Sequence, residues 1–310
     1  MPQVSWVRPE RVVEVRFTEW TDRHMLRAPV FLRTRDDRDP ASVGEPRSAN
    51  TRAPATEAES AYVLQQLDRI RHTGSIDVGG AKLRVAHLDK VLWPATDRTA
   101  AVTKRALIAY FVQAAPLMLE HLRDRPLTVI RMPEGIDGES FYQRHWDAAA
   151  LPACVERLDG GPVERHIVCN NLATLVYLAQ MGSLELHPWH ARADSDGLAP
   201  ALARKATLDD QLVRPDYIVF DLDPDKRLAM PKRGPDPAFE LARTVAFHLR
   251  ATLEAMGLAA FVKTTGHRGL HVYVPIERTL EADAVRDLCG VIGAHLLRAH
   301  PDVLTMEPKP

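Results

Sequence analysis

Residues 217–223 read Tyr-Ile-Val-Phe-Asp-Leu-Asp, an apolar run that ends in two carboxylates, Asp221 and Asp223. In an extended strand, side chains two residues apart share a face, so both acids point one way while Leu222 points into the opposite layer. Two like charges held that close repel unless a cation lies between them. The spacing therefore predicts a divalent-metal site at the mouth of a sheet, the arrangement used in metal-assisted phosphoryl and nucleotidyl transfer. A pair of solvated acids ahead of the turn at Asp223-Pro224-Asp225 satisfies the same spacing.

Downstream, Lys263-Thr-Thr-Gly-His-Arg-Gly-Leu-His271-Val-Tyr-Val-Pro-Ile276 supplies what an anion needs. Gly266 and Gly269 permit positive φ and close backbone approach, so successive N–H groups can form an anion-binding nest. Thr265 offers a hydroxyl, and Arg268 offers a guanidinium fork suited to phosphate oxygens. Beyond the turn, Leu270, Val272, Val274 and Ile276 take the core face, leaving His271 and Tyr273 on the face that carries the acids. Acids for metal and a basic, glycine-bearing turn within one unit favour a nucleoside-triphosphate site over an ordinary polar hairpin tip.

Three further clusters bear chemistry. In Leu186-His187-Pro-Trp-His190, Pro188 argues against a helical zinc pair and leaves His187 as a strand-end histidine facing the same cleft, or as a structural one. The segment 131–145 places Arg131, Arg144 and His145 around the aromatic pair Phe141 and Tyr142, a pattern that suits stacked bases and paired phosphates. Lys90 and Lys104 flank a loop, with Lys104 in the first turn of a helix, where free N–H groups also favour an anion.

The elements that position these residues follow from periodicity. Residues 40–60 are rich in Pro, Ala, Ser, Thr and Glu and read as a linker. Before it, Val13, Val15 and Phe17 alternate with polar residues in a strand over 11–18, followed by a short segment at 29–32. After it, a hairpin turning on Gly79-Gly80 precedes a helix over 104–122, capped by Thr103 and bent at Pro116. A strand at 127–130, a helix at 172–181 stopped by Gly182, and a strand at 184–186 come next. The last third is β-α-β-β-α: strand 217–223, helix 239–256, strands 261–264 and 271–274, and a helix capped by Thr279. Such a split unit calls for one more strand to close its sheet.

The chain has 310 residues, 45% hydrophobic, which allows one good core or one core with an appendage. No run of about 18 apolar residues and no signal-peptide pattern is present, so a cytoplasmic protein without membrane contact is expected. Cys154, Cys169 and Cys289 fit neither a zinc spacing nor a disulfide framework and are read as small core residues. A net charge of −1 argues against coating nucleic acid through bulk charge, while 40 Lys and Arg residues leave room for a local basic groove.

The strings LDKVLWP (88–94), TK (103–104), RMPEGIDGESFYQRH (131–145), LAQMGSLELHPWHAR (178–192), YIVFDLDP (217–224) and KTTGHRGLHVYVPI (263–276) together resemble the polymerase domain of bacterial DNA ligase D, of the archaeo-eukaryotic primase class. Residues 6–20 and 26–37 are similar to the end of the oligonucleotide-binding fold of that enzyme's ligase domain. The resemblance implies an α+β fold: a primase-like mixed sheet with flanking helices over 61–310, a ligase remnant over 1–40, and a linker over 41–60. It implies templated addition of nucleotides at DNA breaks during end joining, with manganese or magnesium and ribonucleotides. Asp221 and Asp223 would ligate metal, and Thr265, Gly266, Arg268 and His271 would hold the triphosphate with His187 nearby. Lys90 and Lys104 would recognise a 5′-phosphate, and Arg131, Phe141, Tyr142 and Arg144 would meet the template. Double-stranded DNA ends and a Ku-type end-binding protein would be its partners, at the nucleoid.

The chain departs from the family pattern at several points. Thr265 stands where serine is usual, and roughly four extra residues separate Lys90 from Lys104 while Ala193–Asp216 is longer than the usual connection. The third metal carboxylate, expected on a closing strand after the last helix, has no counterpart in Asp302 or Glu307. A non-catalytic module that binds 5′-phosphorylated ends and nucleotide is the alternative reading, and an internal piece of a larger enzyme is the expected origin of the chain.

Overall fold

The computed structural model describes residues 12–16, 19–20, 26–27, 30–34, 56–158, 165–193, 214–225, 236–266 and 268–306. The chain divides into two compact units between Thr51 and Arg52, and most of the expected linker lies outside the described residues. In the first unit, β1 (Val13–Arg16) pairs antiparallel with β4 (Val30–Thr34), and β2 (Glu19–Trp20) with β3 (Leu26–Arg27).

The second unit opens with α1 (Glu57–Arg69), whose first turn occupies residues that composition assigned to the linker. The reason is local: Thr56 accepts a hydrogen bond from the Glu59 amide at 3.1 Å, the Thr-x-x-Glu pattern that starts helices. Next, β5 (Gly74–Val78) and β6 (Ala81–Val85) form the expected hairpin, with Gly79 and Gly80 at φ 58° and 84°. A second hairpin, β7 (Val91–Trp93) with β8 (Val102–Thr103), runs straight into α2 (Lys104–Leu122). Thr103 caps α2 as expected, and the helix continues through Pro116.

A five-stranded sheet surrounds β9 (Leu127–Arg131), which pairs with β10 (Phe141–Gln143), β12 (Ile167–Val168) and β13 (Ser183–Pro188), while β11 (Glu156–Arg157) pairs with β12. Helix α3 (Leu172–Gln180) is capped by Asn171 and stops before Gly182 at φ 72°. Leu127 and Val129 of β9 join Ile108, Val112, Leu175 and Leu178 in one core. Cys169 belongs to it; Cys154 and Cys289 are half-buried.

The second sheet holds β14 (Tyr217–Leu222), β15 (Phe261–Thr264) and β16 (Leu270–Pro275) in the order β14–β16–β15, with α4 (Pro237–Ala255) crossing between β14 and β15. Both outer strands run antiparallel to β16 and are therefore parallel to each other, the split β-α-β arrangement read from the sequence. Helix α5 (Ala282–Ala299) starts at Glu281 rather than Thr279. The Thr279 amide is bonded to the Glu277 carbonyl at 2.8 Å in a turn that precedes the helix, and Glu281 stands at the cap position without a side-chain capping bond. Leu249 and Leu253 of α4 and Ile292 and Leu296 of α5 pack on Ile218, Val272 and Val274, covering one face of this sheet. The outer edge of β14 carries no strand among the described residues, and Asp302 lies in the turn after α5.

The two sheets are joined by a side-chain clamp. Arg125, one residue before Pro126 and β9, is 1% exposed and holds Asp216, which precedes β14, through two 2.7 Å bonds. It also donates to the Trp189 carbonyl at 3.0 Å and stacks over Tyr217 at 4.9 Å, while Arg192 adds a 3.1 Å bond to Asp216. Burial alone would raise the Asp216 pKa, but the bonds and charges of Arg125 and Arg192 take it below the ordinary value.

Candidate functional site

Strand register builds the first wall. Asp221 sits opposite His271, and His271 opposite Lys263, so a carboxylate, an imidazole and an ammonium form one row across β14, β16 and β15. Their face is the one that α4 and α5 leave uncovered, because Leu270, Val272 and Val274 turn the other way into the core. His271 Nε2 lies 3.5 Å from Asp221 Oδ1, and its Nδ1 is buried with no hydrogen-bond partner among the described residues. Burial lowers the His271 pKa; Asp221 opposes that, and Lys263 and His187 reinforce it. Beside this row, Lys263 lies over the Tyr273 ring at 5.9 Å.

Asp223 lies just past the end of β14, against the turn that joins β15 to β16. A Cβ at Gly269 would lie 3.1 Å from both Asp223 Oδ1 and the Leu222 carbonyl, closer than ordinary van der Waals contact, so the approach is made at a residue without a side chain. Gly266 adopts φ 89°, as expected for a left-handed turn residue. Thr265 binds the turn to itself, its amide donating to the Gly269 carbonyl and its hydroxyl accepting from the Gly269 amide, each at 3.2 Å. Arg268, expected to present its fork to phosphate, instead grips Asp236 with two bonds of 2.7 and 2.8 Å. Asp236 also caps α4, so Arg268 faces the back of the turn and ties it to the start of that helix. The physical reason is that a nearly buried guanidinium finds its counter-ion in the fold itself.

The second wall comes from the five-stranded sheet. His187 of β13 is paired in register with Thr128 of β9, its Nε2 is 3.1 Å from Glu185 Oε2, and its ring lies 6.5 Å from that of Tyr142. Its charge acts on His271 and contributes to lowering the pKa of that imidazole. Phe141 and Tyr142 do not act as a pair. They are consecutive in β10 and so face opposite sides, Tyr142 with His187 and Phe141 under Arg131 at 5.1 Å. Arg131 is further held by the Met181 carbonyl at 3.1 Å and Gln143 at 2.6 Å, whereas Arg144 stays exposed beside Tyr142 and His145. Three residues of strand inside a glycine-bearing segment are too few to show a period in sequence, which is why periodicity names no strand there.

The two lysines do meet. Thr103 pairs with Val91, and the Lys104 amide donates to the Lys90 carbonyl at 2.8 Å, so the extra residues loop out beyond the hairpin. Lys90 Nζ contacts Glu134 Oε1 at 2.6 Å and the Pro133 carbonyl at 3.2 Å. Lys104 is 5% exposed at the first position of α2. Burial lowers its pKa, Lys90 and Arg131 add to that, and Glu134 opposes it.

Sequence reasoning missed Lys263, Glu134, Asp236 and the Arg125–Asp216 clamp. Counting the register back from the 265–269 turn places Lys263 opposite His271; the other three involve partners distant in sequence, with no local signal. Asp221 and Asp223 are exposed hard-oxygen donors beside an imidazole, a donor set that fits magnesium or manganese. No cluster of three or more His, Cys, Asp or Glu ligands forms among the described residues.

The family model of LigD, primase-polymerase domain, matches residues 103–310, and that of ATP dependent DNA ligase C terminal region matches residues 1–38. The multifunctional non-homologous end joining protein LigD of Pseudomonas aeruginosa is 32% identical over 302 residues, 96% of this chain and 31% of that protein. The bifunctional non-homologous end joining protein LigD of Bacillus subtilis is 28% identical over 77% of this chain and 33% of its own length. The chain thus spans about a third of the curated relatives it matches. Among solved structures, the polymerase domain from Mycobacterium tuberculosis Ligase D in complex with DNA superposes with a TM-score of 0.59 at 26% identity, covering 73% of this chain and 72% of that one. The mixed sheets, the acid row and these matches lead to one assignment: the chain belongs to the LigD primase-polymerase domain family.

Proposed function

We propose that this chain is the DNA-directed nucleotidyltransferase module of an end-joining ligase, adding ribonucleotides at break ends. The observation that carries the reading is the row Asp221–His271–Lys263 on the open face of β14, β16 and β15, with the charge of His187 acting on its imidazole. In this reading a primer 3′-hydroxyl attacks the α-phosphate of a nucleoside triphosphate and pyrophosphate leaves. Asp221 and Asp223 would hold magnesium or manganese, which when bound supplies positive charge for the phosphate oxygens and acidifies the hydroxyl. Thr265, Gly266, His271 and Lys263 face the triphosphate, His187 lies beside it, and Arg268 steadies the turn from behind through Asp236. Tyr142 and Arg144 meet the template, and Lys90 with Lys104 receives the 5′-phosphate of the downstream strand. A Ku-type end-binding protein at the nucleoid is the partner such a module would work with.

Primer extension with manganese and ribonucleotides on a 5′-phosphorylated gapped duplex tests this. Templated addition is expected, and Asp221→Ala is expected to abolish it while leaving end binding intact. End binding without extension by the unaltered chain would assign it instead as a non-catalytic end-binding module. Phosphate release without primer growth would assign a phosphohydrolase.

A further inference from the structure

Glu185 is a carboxylate of the second wall that the proposed reaction leaves without a task. An acid beside a triphosphate repels it unless a positive partner stands between them. Asp221 and Asp223 would have the metal, and Glu185 has His187. The two lie two residues apart in β13, so their side chains share one face, and His187 Nε2 is 3.1 Å from Glu185 Oε2. Register fixes the surroundings. Glu185 is opposite Ile130 and Ile130 is opposite Tyr142, while His187 stands next along the strand opposite the uncharged Thr128, its ring 6.5 Å from that of Tyr142. Arg144 and His145 line the same pocket as Tyr142, and His271 answers to the charge of His187 from β16, with Asp221 and Lys263 in its row. Among these groups, Glu185 is the acid bonded to the ring.

Both members of the pair are 49% exposed, and an exposed ion pair of this kind adds little to folding. Its effect is on the ring. A carboxylate only accepts, so the contact puts a hydrogen on Nε2 and leaves Nδ1 for a ligand. We propose that Glu185 is a positioning residue for nucleotide binding, holding the His187 imidazole by Nε2 so that Nδ1 meets the incoming triphosphate. The inference rests on reading His187 as a neighbour of that triphosphate. A ring that donates to Glu185 through Nε2 and to a phosphate oxygen through Nδ1 is an imidazolium, and Glu185 supplies its counter-charge. A side chain ordered before its ligand arrives also spares the cost of ordering it on binding. Glu185 touches neither nucleotide nor metal and acts through the histidine.

Isothermal titration of a ribonucleoside triphosphate with manganese, without DNA and so without turnover, tests this on the unaltered chain, Glu185→Ala, Glu185→Gln, His187→Ala and the Glu185→Ala/His187→Ala pair, with urea midpoints read alongside. Glu185→Ala is expected to weaken binding about three- to tenfold, the worth of one orienting hydrogen bond, with the urea midpoint unchanged. Glu185→Gln, whose amide oxygen still accepts from Nε2, is expected to recover part of the loss. His187→Ala is expected to weaken binding at least as much, and the double variant no further, because the two residues act as one unit. Binding that is weakened by His187→Ala but unchanged or tighter in Glu185→Ala overturns the inference and leaves the reading of His187 standing. So does a loss from Glu185→Ala that is undiminished in the His187→Ala background. Unchanged binding in His187→Ala overturns both.

Discussion

At the residue scale, side chains that line the open face of the cleft are distinct from those that tie its turns and sheets together. Asp221, His271 and Lys263 are brought together by register alone, whereas Arg268 is drawn away by Asp236. The acid pair was legible because two-residue spacing in a strand has one geometric meaning. The partner of Arg268 was not, because nothing local distinguishes a guanidinium awaiting phosphate from one neutralised by a helix cap 32 residues away. The split of Phe141 and Tyr142 gives a direct prediction. Tyr142→Ala should weaken binding of a single-stranded template overhang by about 1–3 kcal/mol, the worth of one stacked base, while Phe141→Ala should leave it nearly unchanged. Fluorescence anisotropy with overhang duplexes measures both.

At the element scale, the β14-α4-β15-β16-α5 unit was the most legible part, since each strand carries a clear core face and each helix a stripe of Leu, Val and Ile. Short elements were hidden: β7, β8 and β10 have two or three residues each. The turn between β15 and β16 is the element against which Asp223 lies. Gly269→Ala would press a methyl group to 3.1 Å from both Asp223 Oδ1 and a backbone carbonyl, and the backbone atom gives way least. The expected outcome is a stability loss of about 1–3 kcal/mol, as for overpacking. Manganese-dependent extension should fall far more, up to roughly a hundredfold, because a shift of about 1 Å in a positioned group has that effect. Denaturant titration and single-turnover extension measure the two losses separately.

At the scale of the whole molecule, the second unit is two sheets meeting at a clamp, with the cleft between their facing surfaces. Removing one partner of a buried ion pair leaves the other charge uncompensated, so Asp216→Ala should destabilise this unit by about 3–5 kcal/mol, read as a lower midpoint in urea. Because the folded-state pKa of Asp216 is depressed, its contribution is complete above about pH 4 and is lost as pH falls through the folded value below that. No residue type or spacing announces this clamp, since its partners lie 91 residues apart and become neighbours only through the fold. In the proposed function, the near-neutral net charge of −1 leaves DNA capture to local clusters, with the Lys90–Lys104 pocket as the one proposed for a 5′-phosphate. That pocket has a consequence for handling the protein. The bond from the Lys104 amide to the Lys90 carbonyl closes the hairpin at its base, so the length of the segment from 94 to 101 does not enter the distance between the lysines. Doubling such a loop costs only about 0.6 kcal/mol. The hairpin tip is therefore a place to graft a fluorophore or an epitope, giving an optical reporter of DNA-end capture that leaves the pocket as it is.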